Sequence, residues 1–326
     1  PFNFPLNLVA HKVAPAIAVG APVIIKPAPA TPLSALLLGE LLAETGLPEG
    51  MFSILPLPNE RAAALVEDPR LPVVSFTGSA PVGFMIAERV PRKHVTLELG
   101  GNAAAVVLAD ADLEWAATRI ALYANYQAGQ SCIAVQRVLV QDEVYDEFAD
   151  RLVAKVKDLV TGDPADERTQ VGPMVSEQAA RRVEQWVREA VEAGGRLLAG
   201  GGRTGALVEP TVLADVPDDA KVCREEVFGP VLVLRRVASV DEAFAVVNDS
   251  AYGLQAGVFT TSLATAFRAA KELEVGGVII GDVPSYRADQ MPYGGVKDSG
   301  VGREGLRSAM EDYTYPRTTV LTGLTL

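Results

Sequence analysis

The feature that most constrains the fold is the alternation of short apolar runs with amphipathic segments along the first hundred residues. Apolar runs at residues 23–25, 52–55, 72–76 and 95–99 are separated by segments with helical spacing. This alternation predicts βαβ units, in which parallel strands are joined by right-handed helical crossovers. The runs are almost continuously apolar, as strands buried on both faces are. The sequence therefore predicts an α/β fold built around a parallel sheet.

A second α/β block extends from about Asn102 to Asp282. Within it, the polar, glycine-rich residues 194–205 predict a surface loop or hairpin. The tail that follows contains a short helix at 304–311 and a candidate strand at 317–321. At about 150 residues per domain, 326 residues correspond to about two domains.

The composition argues against several kinds of partner. Asp and Glu number 41 against 29 Lys and Arg, and the net charge is −12. A nucleic-acid or anionic membrane surface requires excess basic charge instead, and we see no apolar run of the about 18 residues that a membrane helix needs. With two Cys and two His, we expect no metal site and no disulfide framework. A chain poor in thiols suits the cytoplasm.

Cys132 follows Gly129 closely in a predicted connection between a helix and a strand. A thiolate is a strong nucleophile when its pKa is lowered or a base lies nearby. Most free cysteines are instead small buried apolar residues, and the residue types alone favour that interpretation.

Glu98 interrupts an apolar run at the end of a predicted strand, just before Gly100 and Gly101. Ligand and catalytic groups of open α/β sheets lie beyond the carboxyl ends of the strands. A partly desolvated carboxylate there has a raised pKa and can act as a general base. The alternative is a solvated glutamate at a strand end.

Four residues are candidates for nucleotide contacts, although the glycine fingerprint of dinucleotide-binding folds is absent. Ser79 opens a predicted helix, where backbone N–H groups bind phosphate or the hydroxyl simply caps the helix. Lys26 ends a strand and can reach ribose or phosphate, or it is a surface lysine. Glu226 and Phe228 precede a Gly-Pro turn, where they can contact ribose and nicotinamide or serve as a surface acid and a core aromatic.

Together and in this order, these motifs resemble the aldehyde dehydrogenases. The resemblance extends from Pro1 to about Leu321. It implies an aldehyde dehydrogenase-like α/β fold with a Rossmann-like cofactor domain (1–100), a catalytic domain (101–283), and a C-terminal segment (284–326) that returns to the cofactor domain and carries an oligomerisation strand. The segments that carry it are residues 1–6, 23–32, 76–79, 97–101, 129–132, 225–230, and 292–297 with 299–304.

The resemblance also implies a mechanism. Cys132 would attack the aldehyde carbon, with the side chain of Asn3 and the Cys132 backbone N–H donating to the oxyanion. Hydride transfer to NAD(P)+ would leave a thioester, and Glu98 would activate the water that hydrolyses it to a carboxylic acid. The family's cofactor contacts would fall on Phe2, Lys26, Gly78, Ser79, Leu99, Gly100, Glu226 and Phe228.

Two departures from the family pattern affect these expectations. Pro29 stands where many members carry a glutamate that binds the adenosine ribose, so NAD and NADP both remain open. Members also have roughly a third more chain before the motif that contains Asn3 than a two-domain chain provides. We therefore expect a chain that lacks its N-terminal segment, a fraying Asn3, and poor activity of the chain by itself.

Residues 282–293 are similar to those of members that act on small polar aldehydes, such as lactaldehyde, glyceraldehyde phosphate, phosphonoacetaldehyde or succinate semialdehyde. Arg287 would meet an anionic or hydroxylated substrate tail, or it is a surface arginine paired with Asp289. Cys223 is interpreted as structural. The resemblance implies a homodimer or homotetramer for the full-length protein.

Three alternatives stay open at the level of sequence. The chain is an inactive or non-catalytic truncated member that only binds nucleotide or assembles with like chains; it is a thiol hydrolase that uses the same Cys132 and Glu98; or it is a member that forms acyl-CoA. Dependence on an added nucleotide cofactor or on CoA would separate these from the dehydrogenase.

Overall fold

The computed structural model describes residues 1–325. The helices are α1 (Asn7–Ala18), α2 (Leu33–Ala43), α3 (Asn59–Glu67), α4 (Ala80–Arg89), α5 (Leu113–Asn125), α6 (Tyr145–Lys157), α7 (Glu177–Glu192), α8 (Lys221–Arg224), α9 (Val240–Asn248), α10 (Leu263–Glu272) and α11 (Leu306–Asp312). The strands are β1 (Val23–Ile25), β2 (Phe52–Ile54), β3 (Val73–Thr77), β4 (His94–Glu98), β5 (Ala104–Val107), β6 (Arg137–Gln141), β7 (Arg196–Ala199), β8 (Arg203–Thr204), β9 (Leu207–Val208), β10 (Thr211–Ala214), β11 (Val231–Val237), β12 (Tyr252–Gly253), β13 (Gln255–Phe259), β14 (Gly277–Ile280), β15 (Val296–Lys297) and β16 (Gly300–Val301).

The largest sheet has seven strands in the order β14-β13-β5-β6-β11-β10-β7. All neighbouring strands are parallel except the edge strand β7, which runs antiparallel to β10. Side chains alternate between the two faces: Val138 and Val140 of β6 join one core cluster, and Leu139 joins the other. Helices α5 and α6 cover the first face, while α7, α9 and α10 cover the second. The sheet is thus the central layer of an α/β/α sandwich, as the alternation predicts.

The first hundred residues depart from the predicted single sheet. Strands β1 and β2 form one parallel ladder, and β3 and β4 form another, to which β16 adds an antiparallel strand. The two ladders are not hydrogen-bonded to each other, and residues of both β1 and β3 line a cavity of about 620 Å³. The four strands were predicted correctly, but helix α1 and the division into two ladders were not.

The predictions for residues 194–205 and 317–321 were wrong in part. Residues 194–205 contain the edge strand β7 as well as β8, which forms an antiparallel pair with β9. Residues 317–321 form no strand in the described chain and are exposed. An isolated extended segment gains no ladder hydrogen bonds, so the apolar pattern there does not by itself produce a strand.

The C-terminal segment returns to the N-terminal elements. Helix α11 packs against α1, and β16 pairs with the end of β4, with Gly300 opposite Glu98. Ser299, just before β16, is fully buried and donates from Oγ to the carbonyl of Gly100 at 2.7 Å. No helix within residues 1–325 is both long and apolar enough to cross a membrane.

Candidate active site

Cys132 lies just beyond a strained turn. Helix α5 ends at Asn125, and the next residues adopt left-handed backbone conformations, with φ of 55° at Gln127, 53° at Ala128 and 70° at Gly129. Left-handed non-glycine residues are uncommon and cluster at functional sites. A Cβ at Gly129 would lie 2.1 Å from the carbonyl oxygen of Gly229. The turn is therefore packed backbone to backbone against the Gly229 loop, and this fixes where the thiol emerges.

The thiol of Cys132 is held by Tyr293. Cys132 Sγ lies 2.9 Å from Tyr293 Oη, and the side chain packs on a buried cluster of Ile133, Leu254 and Tyr293. Burial first, and then the charges of Glu226 and Glu98, raise the pKa of Cys132 to about 12, against the opposing effect of the Tyr293 hydrogen bond. The thiol is accordingly protonated at neutral pH in this conformation.

Asn3 is tied to the turn before Cys132 and does not fray as expected. Its Nδ2 donates to the carbonyl of Gln130 at 2.9 Å, and Gln127 Nε2 donates to the carbonyl of Asn3 at 3.0 Å. Long-range hydrogen bonds of this kind anchor a terminal segment. One N–H of the Asn3 amide is therefore engaged, and the second remains for a ligand.

Glu98, the last residue of β4, is almost completely buried, and neither carboxyl oxygen has a hydrogen-bond partner within residues 1–325. Its Oε1 would lie 2.9 Å from a Cβ placed at Gly294, so only glycine leaves it room. Burial raises the pKa of Glu98 well above its usual value, and the negative charge of Glu304 adds to this, against the opposing charges of Lys12 and Arg303. Glu98 is thus an unpaired carboxyl that is free to exchange a proton.

Lys12 is a cation near Glu98 that was not predicted from the sequence. Lys12 of α1 makes an ion pair with the buried Glu304 and donates to Thr77 Oγ1 at 2.7 Å, while His11 Nδ1 lies 3.8 Å from Glu304 Oε2. Burial would raise the pKa of Glu304, but the charge and the hydrogen bond of Lys12, with His11 nearby, lower it to about 2. Glu304 lies in the segment 299–304, which the family resemblance had already identified. Lys12 lies in α1, whose apolar sequence with an internal proline did not predict a helix.

Glu226 and Phe228 lie together with several other predicted cofactor residues. Glu226 Oε1 accepts from the backbone N–H of Gly101 at 2.9 Å, and its Oε2 would lie 2.6 Å from a Cβ at Gly100. Burial raises the pKa of Glu226 to about 7, against the hydrogen bond from Gly101. Phe228 has a φ of 48° and makes an edge-to-face contact with Phe2, at 5.9 Å between ring centroids. Leu99, adjacent to Gly100, is buried.

Two buried amides hold the loop that carries Glu226 and Phe228. Asn102 Nδ2 donates to the carbonyls of Cys223 and Glu225, each at 3.1 Å. Gln136 donates to Val222 and Glu225 and accepts from the backbone N–H of Val227. Nothing in their sequence context marked these two residues. Cys223 is half-buried, and burial is the main cause that raises its pKa to about 11.

Lys26 directly follows β1, and Gly78 and Ser79 directly follow β3, at the carboxyl ends of these two strands. Lys26 lines the cavity, as does Pro29, and donates from Nζ to Asn59 Oδ1 at 2.9 Å. Ser79 occupies the N-cap position of α4, but its side chain makes no capping hydrogen bond. Its hydroxyl and the first N–H groups of the helix are thus free to bind phosphate. A cavity of this size, with a lysine and a helix N-terminus nearby, fits a nucleotide.

Arg287 lies over Tyr293 rather than beside Asp289. Its guanidinium carbon is 4.1 Å from the centroid of the Tyr293 ring, and Nη1 donates to the carbonyl of Met291 at 3.2 Å. No ion pair joins Arg287 to Asp289 in the described part of the chain, so the surface-pair alternative was wrong. Residues 1–325 also contain no group of His, Cys, Asp and Glu that could hold a metal.

The fold and the site define an α/β protein with a cysteine held by a strained turn and a separate nucleotide-sized cavity. The family model for the aldehyde dehydrogenases matches residues 1–319, and the chain belongs to the aldehyde dehydrogenase family. Members of this family are NAD(P)-dependent oxidoreductases that oxidise aldehydes. Solved relatives of this chain are complexed with NAD+ or with NADP.

Three relatives show how far the similarity extends. The 3-sulfolactaldehyde dehydrogenase of Priestia aryabhattai is 48% identical over 98% of this chain and 68% of its own length. The crystal structure of aldehyde dehydrogenase 21 from Physcomitrella patens, in complex with the reaction product succinate, is 51% identical with a TM-score of 0.94 over 96% of this chain and 66% of that one. NADP-complexed glyceraldehyde-3-phosphate dehydrogenase of Methanocaldococcus jannaschii is 39% identical, with a TM-score of 0.92, over 96% and 69%. The expected fold is confirmed, and the chain spans about two thirds of the length of these relatives.

The turn before Cys132 can be tested with a matched pair of glycines. Gly129→Ala should destabilise the protein by at least about 3 kcal/mol, because the new Cβ overlaps the Gly229 backbone and the φ is left-handed. Gly20→Ala has a similar φ of 75° but meets no atom within 4 Å, so it should cost only about 1 kcal/mol. Urea denaturation measures both, and equal losses would show that backbone contact does not fix the turn.

Burial of Glu226 predicts a pH dependence of stability. Because the folded-state pKa of about 7 lies above the usual 4.5, the folded protein holds a proton that the unfolded chain releases between these values. This residue's contribution to the free energy of unfolding should therefore fall by about 2–4 kcal/mol as pH rises from about 5 to about 8.

In Glu226→Gln this fall should be absent, so the stability of the variant relative to the wild type increases with pH. The exposed Glu311→Gln controls for loss of one negative charge. Urea denaturation at both pH values gives the difference, and parallel curves for wild type and Glu226→Gln would contradict the assignment.

Proposed function

We propose that this chain oxidises an aldehyde to a carboxylic acid with NAD+ or NADP, through a covalent intermediate on Cys132. The observation that carries the proposal is that one loop touches both groups: Tyr293 contacts the Cys132 thiol, and the next residue, Gly294, lies against the Glu98 carboxyl. Glu98 is buried without a hydrogen-bond partner among the described residues, yet its charge is near enough to raise the pKa of Cys132. A nucleophile and an unpaired carboxyl that can exchange a proton are the two protein groups that thioester chemistry requires.

In the proposed reaction, the Cys132 thiol gives up its proton to solvent, Sγ adds to the aldehyde carbon, and the carbonyl oxygen takes the negative charge. The free N–H of Asn3 and the backbone N–H of Cys132 donate to that oxygen, and each such donor contributes about 3 kcal/mol in a dry site. The bound nicotinamide supplies the hydride acceptor. The ionised form of Glu98 then takes a proton from water, which attacks the resulting thioester; the acid leaves, and the sulfur regains a proton to restore the thiol.

The cofactor residues are proposed in two groups. Lys26, Gly78 and Ser79 would contact ribose and phosphate from the two ladders. The second group would line the nicotinamide end of the cofactor site and consists of Phe2, Leu99, Gly100, Glu226 and Phe228. The contact of Phe2 with Phe228 supports this grouping. Pro29 offers no carboxylate to bind a free 2′-hydroxyl or to repel a 2′-phosphate, so the proposal includes both NAD and NADP.

For the substrate we propose a small aldehyde with an anionic tail. Arg287 stacks on the ring of Tyr293, which in turn contacts Cys132. Within residues 1–325, no carboxylate forms an ion pair with Arg287. A guanidinium without an ion pair binds carboxylate, sulfonate or phosphate in a bidentate manner. The names of the relatives, which refer to 3-sulfolactaldehyde and to succinate, agree with such a group.

The tail supports a proposal of self-association. Tyr315, Val320, Leu321 and Leu324 are each at least 70% exposed. Exposed apolar residues in an extended segment pair favourably with a strand edge of another copy. A homodimer or homotetramer would bury them, in agreement with the oligomerisation strand that the family resemblance implies.

Reduced-nucleotide formation tests the reaction directly. The wild-type chain should reduce NAD+ or NADP with a small anionic aldehyde, and Cys132→Ala should abolish this. Glu98→Gln should give one rapid turnover followed by steady-state hydrolysis that is slower by about 10²–10⁴-fold, because only the water step needs the base. Reduction that persists in Cys132→Ala, or a wild-type chain inert with both cofactors and all aldehydes, would contradict the proposal for this chain.

Substrate preference tests Arg287. Arg287→Ala should lower kcat/KM for an anionic aldehyde by about tenfold to a hundredfold, because a charged hydrogen bond is lost, and should leave an uncharged aldehyde of equal length nearly unchanged. Arg307→Ala, an exposed arginine paired with Glu311 on α11, is the matched control and should leave both values unchanged. An unaltered preference in Arg287→Ala would remove the anionic-tail proposal.

A further inference from the structure

The hydroxyl of Tyr293 has a role that the proposed reaction does not use. Tyr293 is 7% exposed, and its Oη lies 2.9 Å from Cys132 Sγ. Its backbone is anchored on both sides, since its N–H donates to the carbonyl of Glu304 at 2.8 Å and its carbonyl accepts from the Glu304 N–H at 2.6 Å. The ring packs with Ile133 and Leu254. The hydroxyl is therefore a fixed group.

The electrostatics around the thiol make this hydrogen bond important. The neighbouring carboxyls of Glu98 and Glu226 both oppose ionisation of Cys132, whereas the Tyr293 hydrogen bond favours it. Burial raises the pKa of Tyr293 well above its usual value, and the charge of Cys132 adds to this, so the phenol keeps its proton. Within residues 1–325, no other side chain hydrogen-bonds to Sγ. Arg287 on the ring face draws electron density from the phenol, which strengthens it as a donor.

We propose that Tyr293 is a positioning residue for the nucleophile: its hydroxyl holds Cys132 Sγ in one orientation and donates a hydrogen bond to the thiolate. The thiol can donate to Oη while it is protonated, and the O–H of Tyr293 turns to donate once the thiol proton has left. The inference rests on the proposed function only in taking Cys132 as the nucleophile. A hydrogen bond to a charged acceptor is stronger than one to a neutral acceptor, so the contact favours the ionised form.

Alkylation of Cys132 in Tyr293→Phe tests this without turnover. The substitution removes one oxygen atom and keeps the ring. Loss of the donor should raise the pKa of Cys132 by about one to two units, and because a more basic thiolate is more nucleophilic, the net rate with iodoacetamide should fall about threefold to tenfold. The rate is followed at several values between about pH 7 and 9 by peptide mass spectrometry, and the fall should be the same at each pH below the pKa.

Two controls separate this effect from a change in packing. Cys223 in the same sample reports reactivity remote from Tyr293, and its rate should not change. Tyr286→Phe, an exposed tyrosine on the same loop, should leave Cys132 alkylation unaltered. If Tyr293 only fills space, Tyr293→Phe would leave the alkylation rate equal to wild type or raise it by loosening the cluster, and either result would overturn the inference.

Turnover then distinguishes the two proposals. Where the chain reduces NAD(P)+, Tyr293→Phe should lower kcat with KM nearly unchanged, because the hydroxyl contacts the nucleophile and not the substrate. Alkylation needs neither cofactor nor aldehyde, so a chain without turnover can still confirm or overturn the role of Tyr293. Conversely, normal alkylation in Tyr293→Phe would leave the Cys132→Ala test of the proposed function intact.

Discussion

The candidate site depends on the close approach of Gly100 and Gly101 to three other segments. A Cβ at Gly101 would lie 2.2 Å from the carbonyl oxygen of Cys132, and one at Gly100 would lie 2.6 Å from the carboxyl of Glu226. The Gly100 carbonyl accepts a hydrogen bond from Ser299 on the third side. Because no side chain intervenes, the end of β4 meets the thiol turn and the Glu226 loop, and Glu98 is delivered into the same cleft.

Two buried carboxyls, those of Glu98 and Glu304, then share a region of low dielectric. Glu304 has Lys12 and His11 beside it and stays ionised, whereas Glu98 has no hydrogen-bond partner in the described structure. A charge that is buried unpaired is costly, and the protein lowers this cost by keeping the proton on the carboxyl. Glutamate therefore occurs in two protonation states within one site: Glu304 is ionised, and Glu98 is protonated. This separation of pKa values is what a general base next to a fixed charge requires.

Local elements could be predicted from sequence much better than their assembly. Apolar periodicity placed the first four strands within a residue or so, since each run is bounded by Pro or Gly and follows one period. Helix α1 was missed because it is apolar on most sides and contains Pro15, which obscures its period. The motifs supplied Cys132 and Glu98, but Lys12, Asn102, Gln136 and Tyr293 act through contacts between residues at least 65 positions apart in the chain. Such contacts leave no trace in local spacing, and the division of the first strands into two ladders is likewise a long-range outcome.

The N-terminal residues connect the parts of the site that are strained. Asn3 is hydrogen-bonded to Gln127 and Gln130 in the turn before Cys132, and Phe2 packs on Phe228 in the loop that carries Glu226. Gln127 and Phe228 both have left-handed backbones, a conformation that persists only when surrounding contacts impose it. Phe2 and Asn3 thus stabilise the left-handed backbones of Phe228 and Gln127. The same segment therefore holds both the turn before Cys132 and the ring of Phe228. Any movement of residues 2–3 must therefore change the nucleophile and the proposed cofactor contacts together.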